Sequence, residues 1–139
     1  MSGTDAFFDT NVVLYLFSAD AAKADRAEIL LAQGGTVSVQ VLNEIVSVAR
    51  RKLAMTWSEV HDVLIHIRAV CHVVPLTAET HGRAVVIAER YRLSIYDATI
   101  LASALDARCS VVYTEDLQHG QRLEDAVTVC NPFWSEAKE

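Results

Sequence analysis

Four carboxylates carry the chemistry available to this chain. Asp9 follows the apolar triplet Ala6-Phe7-Phe8, and Asp116 closes the segment Thr114-Glu115-Asp116 directly after Val111-Val112-Tyr113. Glu44 lies about 100° from Ile45 on a helical wheel, at the border of an apolar stripe. Asp97 stands one turn before Leu101 and leans toward the core side of its helix. Taken singly, each has an ordinary explanation. Asp9 and Asp116 suit turns, Glu44 suits a surface position, and Asp97 fits a loose capping pattern with Ser94. Convergence of all four would need more. Carboxylates about 6 Å apart repel by roughly 2–3 kcal/mol per pair at an effective dielectric of about 20. A marginally stable fold keeps such a cluster only with compensation. Oxygen-only ligation suits a hard divalent cation, Mg²⁺ or Mn²⁺. A cation so held can activate water and stabilise both oxygens of an in-line displacement at phosphorus. The chemistry expected is phosphodiester hydrolysis.

The positioning elements follow from periodicity. Ala6-Phe7-Phe8, Thr36 to Val39, Val73-Val74, Val111-Val112-Tyr113 and Val127 to Val129 are short, Val-rich and not alternately polar. Strands buried on both faces of a parallel sheet read this way. Between them lie helical stripes. One contains Leu42, Ile45, Val46, Ala49 and Leu53, and places Glu44 in or near its first turn. A second contains Val60, Val63, Leu64, Ile67 and Cys71, opened by the capping box Thr56-Trp57-Ser58-Glu59. A third contains Ala84, Ile87, Ala88 and Tyr91. A fourth, over Tyr96–Arg108, contains Ala98, Leu101, Ala102, Leu105 and Cys109. A further helix spans Ala21 to Gln33 and stops at Gly34-Gly35. Strands alternating with helices imply one α/β domain over residues 1–139, a three-layer α/β/α arrangement around a mostly parallel sheet. Ligands of such sheets bind beyond the carboxyl ends of the strands, where Asp9 and Asp116 fall.

Composition narrows the function further. Twelve basic residues against 18 acidic ones give a net charge of −6, which argues against a cationic nucleic-acid coat. It leaves open an enzyme that meets phosphate through a metal ion. The longest clean apolar run, Val12 to Phe17, is far short of the ~18 residues a membrane span requires. No basic residue precedes Lys23, while Asp5 and Asp9 interrupt any leader-like segment. Cys71, Cys109 and Cys130 are odd in number and widely spaced, and read as reduced thiols of a cytoplasmic protein. A 52% hydrophobic content in so short a chain implies more apolar surface than one small core hides, hence a homodimer and a docking partner.

At its four acids the sequence resembles the PIN-domain family, and within it the VapC toxins of toxin–antitoxin pairs. Phe7-Phe8-Asp9-Thr10-Asn11-Val12 is similar to the family's opening strand and D-T-N motif. Ser38 to Ile45 resembles the segment of the second acid, and Leu93-Ser94-Ile95-Tyr96-Asp97-Ala98 that of the third. Tyr113 to Gly120 resembles that of the fourth. The resemblance spans nearly the whole chain in the expected order. It implies a Mg²⁺- or Mn²⁺-dependent ribonuclease with Asp9 and Asp97 as principal metal ligands. Glu44 and Asp116 would complete the cluster directly or through water, and Glu115 is a neighbouring candidate for the fourth position. Asn11 and Thr114 would orient the carboxylates by hydrogen bonds. A VapB-like antitoxin would occupy the groove of a dimeric toxin.

The remaining polar residues carry weaker signals. His61 and His66 are about 140° apart on a helix and cannot easily share an ion; His72 lacks a spaced partner. His119 follows Asp116 closely enough to reach substrate. Arg51, seven residues after Glu44, shares its helix face and is a candidate RNA-phosphate contact, although Arg50-Arg51-Lys52 also suits the negative end of a helix dipole. Trp57 and Trp134 suit core or interface anchors, or base-stacking platforms. Two other readings compete: a non-catalytic α/β binding module, and a phosphatase of the haloacid-dehalogenase type. The latter needs an Asp two residues after the first, where this chain has Asn11.

Overall fold

The computed structural model describes residues 5–134. Strand β1 (Ala6–Phe8) leads into a short helix α1 (Thr10–Leu14) and a single 3₁₀ turn (Tyr15–Phe17), then α2 (Ala21–Ala32). There follow β2 (Gly35–Ser38), α3 (Val39–Arg51), α4 (Trp57–Val70), β3 (Cys71–Val74), α5 (Ala78–Tyr91) and α6 (Ile95–Asp106). Strands β4 (Val111–Tyr113), β5 (Arg122–Leu123) and β6 (Val127–Cys130) complete the described chain.

The sheet runs β3-β2-β1-β4-β6-β5, parallel throughout except for the β5–β6 pair. From β1 the chain moves outward through β2 to β3, then returns to lay β4 on the other side of β1. The order therefore reverses between β1 and β4. At such a point the loops leaving two adjacent strands diverge and open a crevice beyond their carboxyl ends. Phe8 lies opposite Tyr113 in the register, so Asp9 and Thr114 emerge side by side into that crevice. The sheet and its packed helices form the expected α/β/α fold.

Local chemistry explains the element boundaries. Thr56 and Glu59 form the reciprocal capping box at the start of α4, with bonds of 2.8 and 3.1 Å. Gly34 takes a φ of +81° to end α2. Gly35 then enters β2 beneath an aromatic ring: a Cβ there would lie 2.4 Å from Phe8 Cε2. Helix α6 presents an unbroken buried run from Ala98 to Ala104. Its small residues let it pack closely, and Asp97 sits in its first turn at the edge of the crevice.

Several boundaries differ from expectation. Val39 is the first residue of α3, not the end of a strand, because the Ser38 side chain caps the Val41 amide. Glu44 consequently lies in the second turn of α3. Leu53 falls beyond that helix. Cys71 opens β3 instead of closing α4, and Cys109 follows α6 after Arg108 in a left-handed conformation at φ +60°. Both cysteines are buried all the same, because the chain folds back onto the core at those points. Helix α1 and strand β5 were not expected from periodicity; five and two residues are too few to show one.

Candidate metal centre

Asp9 leaves β1 with extended backbone and becomes the N-cap of α1. Its Oδ1 accepts from the Thr10 amide at 2.7 Å, and its Oδ2 accepts from the Thr114 hydroxyl at 2.7 Å. Thr114 is fully buried just past β4, and its Oγ1 also accepts from the Asp116 amide at 3.0 Å. One hydroxyl thus fixes both strand-end acids. Across the crevice, Thr10 Oγ1 donates to Glu44 Oε1 at 2.7 Å, which ties α3 to the same corner. Asp97 reaches it from the start of α6, where its amide donates to the N-cap Ser94 Oγ at 3.1 Å.

Asp9, Glu44, Asp97 and Asp116 line one cavity of about 360 Å³, together with Thr10, Asn11, Leu14, Tyr96 and Ile100. Among the described residues, no Lys or Arg lines it. One carboxylate oxygen from each of Asp9, Asp97 and Asp116 lies within 4.8 Å of the other two. Glu44 stands at the wall of the cavity outside this trio.

The electrostatics are those of a crowded anionic site. Burial pushes the Asp9 carboxyl up to about 6, the Thr114 and Thr10 bonds oppose it, and the charges of Asp116 and Glu44 add to it. Asp97 is also raised, by burial first and then by Asp116. A hard divalent cation fits this donor set. It would neutralise the mutual repulsion, and the ligands are all oxygens. Asn11 supplies an independent sign: its Oδ1 is buried at the cavity with no hydrogen-bond partner among the described residues.

Other candidates lie elsewhere. Glu115 turns away from the cavity, bonding Tyr15 Oη and pairing with Lys23 at 3.6 Å. His119 stacks on Trp134 and accepts from the Asn131 amide at 3.0 Å, so it does not line the cavity. Arg51 is exposed at the end of α3, its Nε donating to the Ser47 carbonyl. Arg50 covers the Trp57 ring at 4.6 Å. His61, His66 and His72 are exposed and outside the acidic cluster. Sequence reasoning missed Thr10 as a clamp on Glu44. Its hydroxyl in an Asp-Thr-Asn run was the available signal, but a strand-to-helix turn was needed to aim it.

The model of the PIN domain matches residues 6–122. A toxin–antitoxin complex from Klebsiella pneumoniae superimposes with a TM-score of 0.70 at 21% identity, over 92% of this chain and 98% of that one. Mycobacterium tuberculosis VapC20, described as a toxin cleaving the sarcin–ricin loop, gives 0.57 at 24% identity, over 80% and 89%. VapBC2 of Rickettsia felis, bound to a promoter DNA fragment, gives 0.56 at 18% identity, over 80% and 87%. No curated protein sequence gives a significant match. The family match takes in β1, α3 and α6 and reaches the loop of Asp116, so it includes every acid of the cavity; the chain belongs to the PIN domain family.

Proposed function

We propose that the chain is a Mg²⁺- or Mn²⁺-dependent endoribonuclease, the toxin of a type II toxin–antitoxin pair. The observation that carries this reading is the trio of Asp9, Asp97 and Asp116 oxygens converging within 4.8 Å in an acid-lined cavity. Those three would hold the cation, with Glu44 contributing directly or through water. The cation when bound supplies charge neutralisation at the phosphate and activation of water. The protein's own part is orientation. Thr114 holds the Asp9 carboxylate and the Asp116 backbone, and Thr10 holds Glu44 at the cavity wall. Arg51 offers a cation for a flanking RNA phosphate.

Solved relatives of this fold include a toxin–antitoxin complex and a toxin named for RNA cleavage, which supports the substrate class and a VapB-like partner. Among the described residues no helix is long and apolar enough to cross a membrane; work in the cytoplasm is part of the proposal. A homodimer is part of the same proposal, checked by light scattering. The enzymatic reading is tested by RNA cleavage with and without EDTA, in wild type and Asp9→Asn. Cleavage that requires the divalent ion and the Asp9 carboxylate supports it; cleavage indifferent to either overturns it.

A further inference from the structure

We infer that Glu115 is a positioning residue: with Tyr15 and Lys23 it forms a clasp that fixes the loop carrying Asp116 over the cavity. Asp116 is the exposed member of the acidic trio, and its amide is anchored on Thr114 Oγ1. A side chain so placed would sweep a wide arc unless its backbone were held on the far side as well. Glu115 supplies that hold.

Its Oε1 accepts from Tyr15 Oη, and its Oε2 pairs with Lys23 Nζ at 3.6 Å. Lys23 Nζ in turn donates to Tyr15 Oη at 3.3 Å and lies 4.6 Å from the Tyr15 ring centroid and 5.4 Å from that of Phe133. Phe133 packs edge-on against Tyr15 at 4.7 Å. The loop after β4 is thereby stitched to the 3₁₀ turn, to α2 and to the segment after β6. Thr114 ties that loop to β1 on one side of Asp116. Glu115, pointing the opposite way, ties it to the turn after α1. The chain bends over residues 115–117, and with Thr114 anchored to β1 and Glu115 to the 3₁₀ turn, Asp116 is held at the cavity wall.

This inference rests on the cation-binding reading of the cavity, and its test separates the two. In the metal-free protein, amide hydrogen exchange at Asp116 is compared in wild type, Tyr15→Phe, Glu115→Ala and Glu115→Gln. Loss of the clasp is expected to speed exchange at Asp116 about tenfold, with Val112 in the core unchanged; Glu115→Gln, which still accepts from Tyr15, stays near wild type. Calorimetric Mn²⁺ titration should then show weaker binding in Tyr15→Phe and Glu115→Ala, with the melting temperature held. Unchanged exchange at Asp116 overturns the clasp. So does Mn²⁺ affinity lost in Glu115→Ala but kept in Tyr15→Phe, which would make Glu115 a ligand in its own right. A wild type that binds no Mn²⁺ defeats the cation reading and the positioning role with it, whereas weakened binding without RNA cleavage removes only the ribonuclease reading.

Discussion

Thr114 Oγ1 donates to Asp9 Oδ2 at 2.7 Å while accepting from the Asp116 amide at 3.0 Å. A single buried hydroxyl therefore couples the acids at the ends of two adjacent parallel strands. Hydrogen bonds to charged groups contribute about 1.5–3 kcal/mol. Thr114→Val removes the bond at nearly constant volume. It should raise the Asp9 pKa further and weaken Mg²⁺ binding by about tenfold or more, with Thr114→Ser close to wild type. Calorimetric titration checks this, and equal affinity in Thr114→Val would refute the orienting role.

Asp9 also makes the metal-free protein sensitive to pH. Its folded pKa of about 6 lies above the ordinary 3.8, so folding takes up a proton. The stability associated with protonated Asp9 is fully present below pH 3.8 and is lost as pH rises toward 6. The loss amounts to roughly 3 kcal/mol at most. Asp9→Asn mimics the neutral form. Without metal it should match wild type near pH 4 and exceed it in urea denaturation at pH 7, while failing to cleave RNA. A constant difference between the two across this range would contradict the linkage.

The acids themselves were legible from sequence because each stands at a recognisable point, at a strand end or beside an apolar stripe. Asp9, Glu44, Asp97 and Asp116 do line one cavity. The orientation of Glu115 was not legible. Its neighbour Asp116 has the same charge and nearly the same spacing from β4, and only the tertiary placement of Tyr15 and Lys23 separates them. Cys71 and Cys109 continued helical stripes by count, yet the helices stop short of both; a periodic pattern does not record where the backbone turns back to the core.

Gly35 links packing to the site. Its Cβ position lies 2.4 Å from Phe8 Cε2 and 2.9 Å from the Ala6 carbonyl. Gly35→Ala must displace either a buried ring or β1 itself, at a cost of about 1–3 kcal/mol. Because Phe8 precedes Asp9, the same change should weaken Mn²⁺ binding. Denaturation midpoints and a cation titration measure the two effects, and a neutral outcome in both would mean that β1 is free to shift.

Arg51 should affect substrate without affecting metal. Arg51→Ala removes an exposed cation at the end of α3, on the face shared with Glu44. Its expected effect is weaker single-stranded RNA binding, with the salt slope reduced by about 0.7 for one lost phosphate contact. Unchanged RNA affinity at fixed salt would remove Arg51 from the interface.

The central claim is that three separated aspartates meet around one divalent ion, and Mn²⁺ binding followed by electron paramagnetic resonance reads it most directly. Wild type should bind Mn²⁺ saturably, displaceably by Mg²⁺, and Asp9→Asn, Asp97→Asn and Asp116→Asn should each lose that binding while staying folded. Full-strength Mn²⁺ binding in any of the three would contradict it.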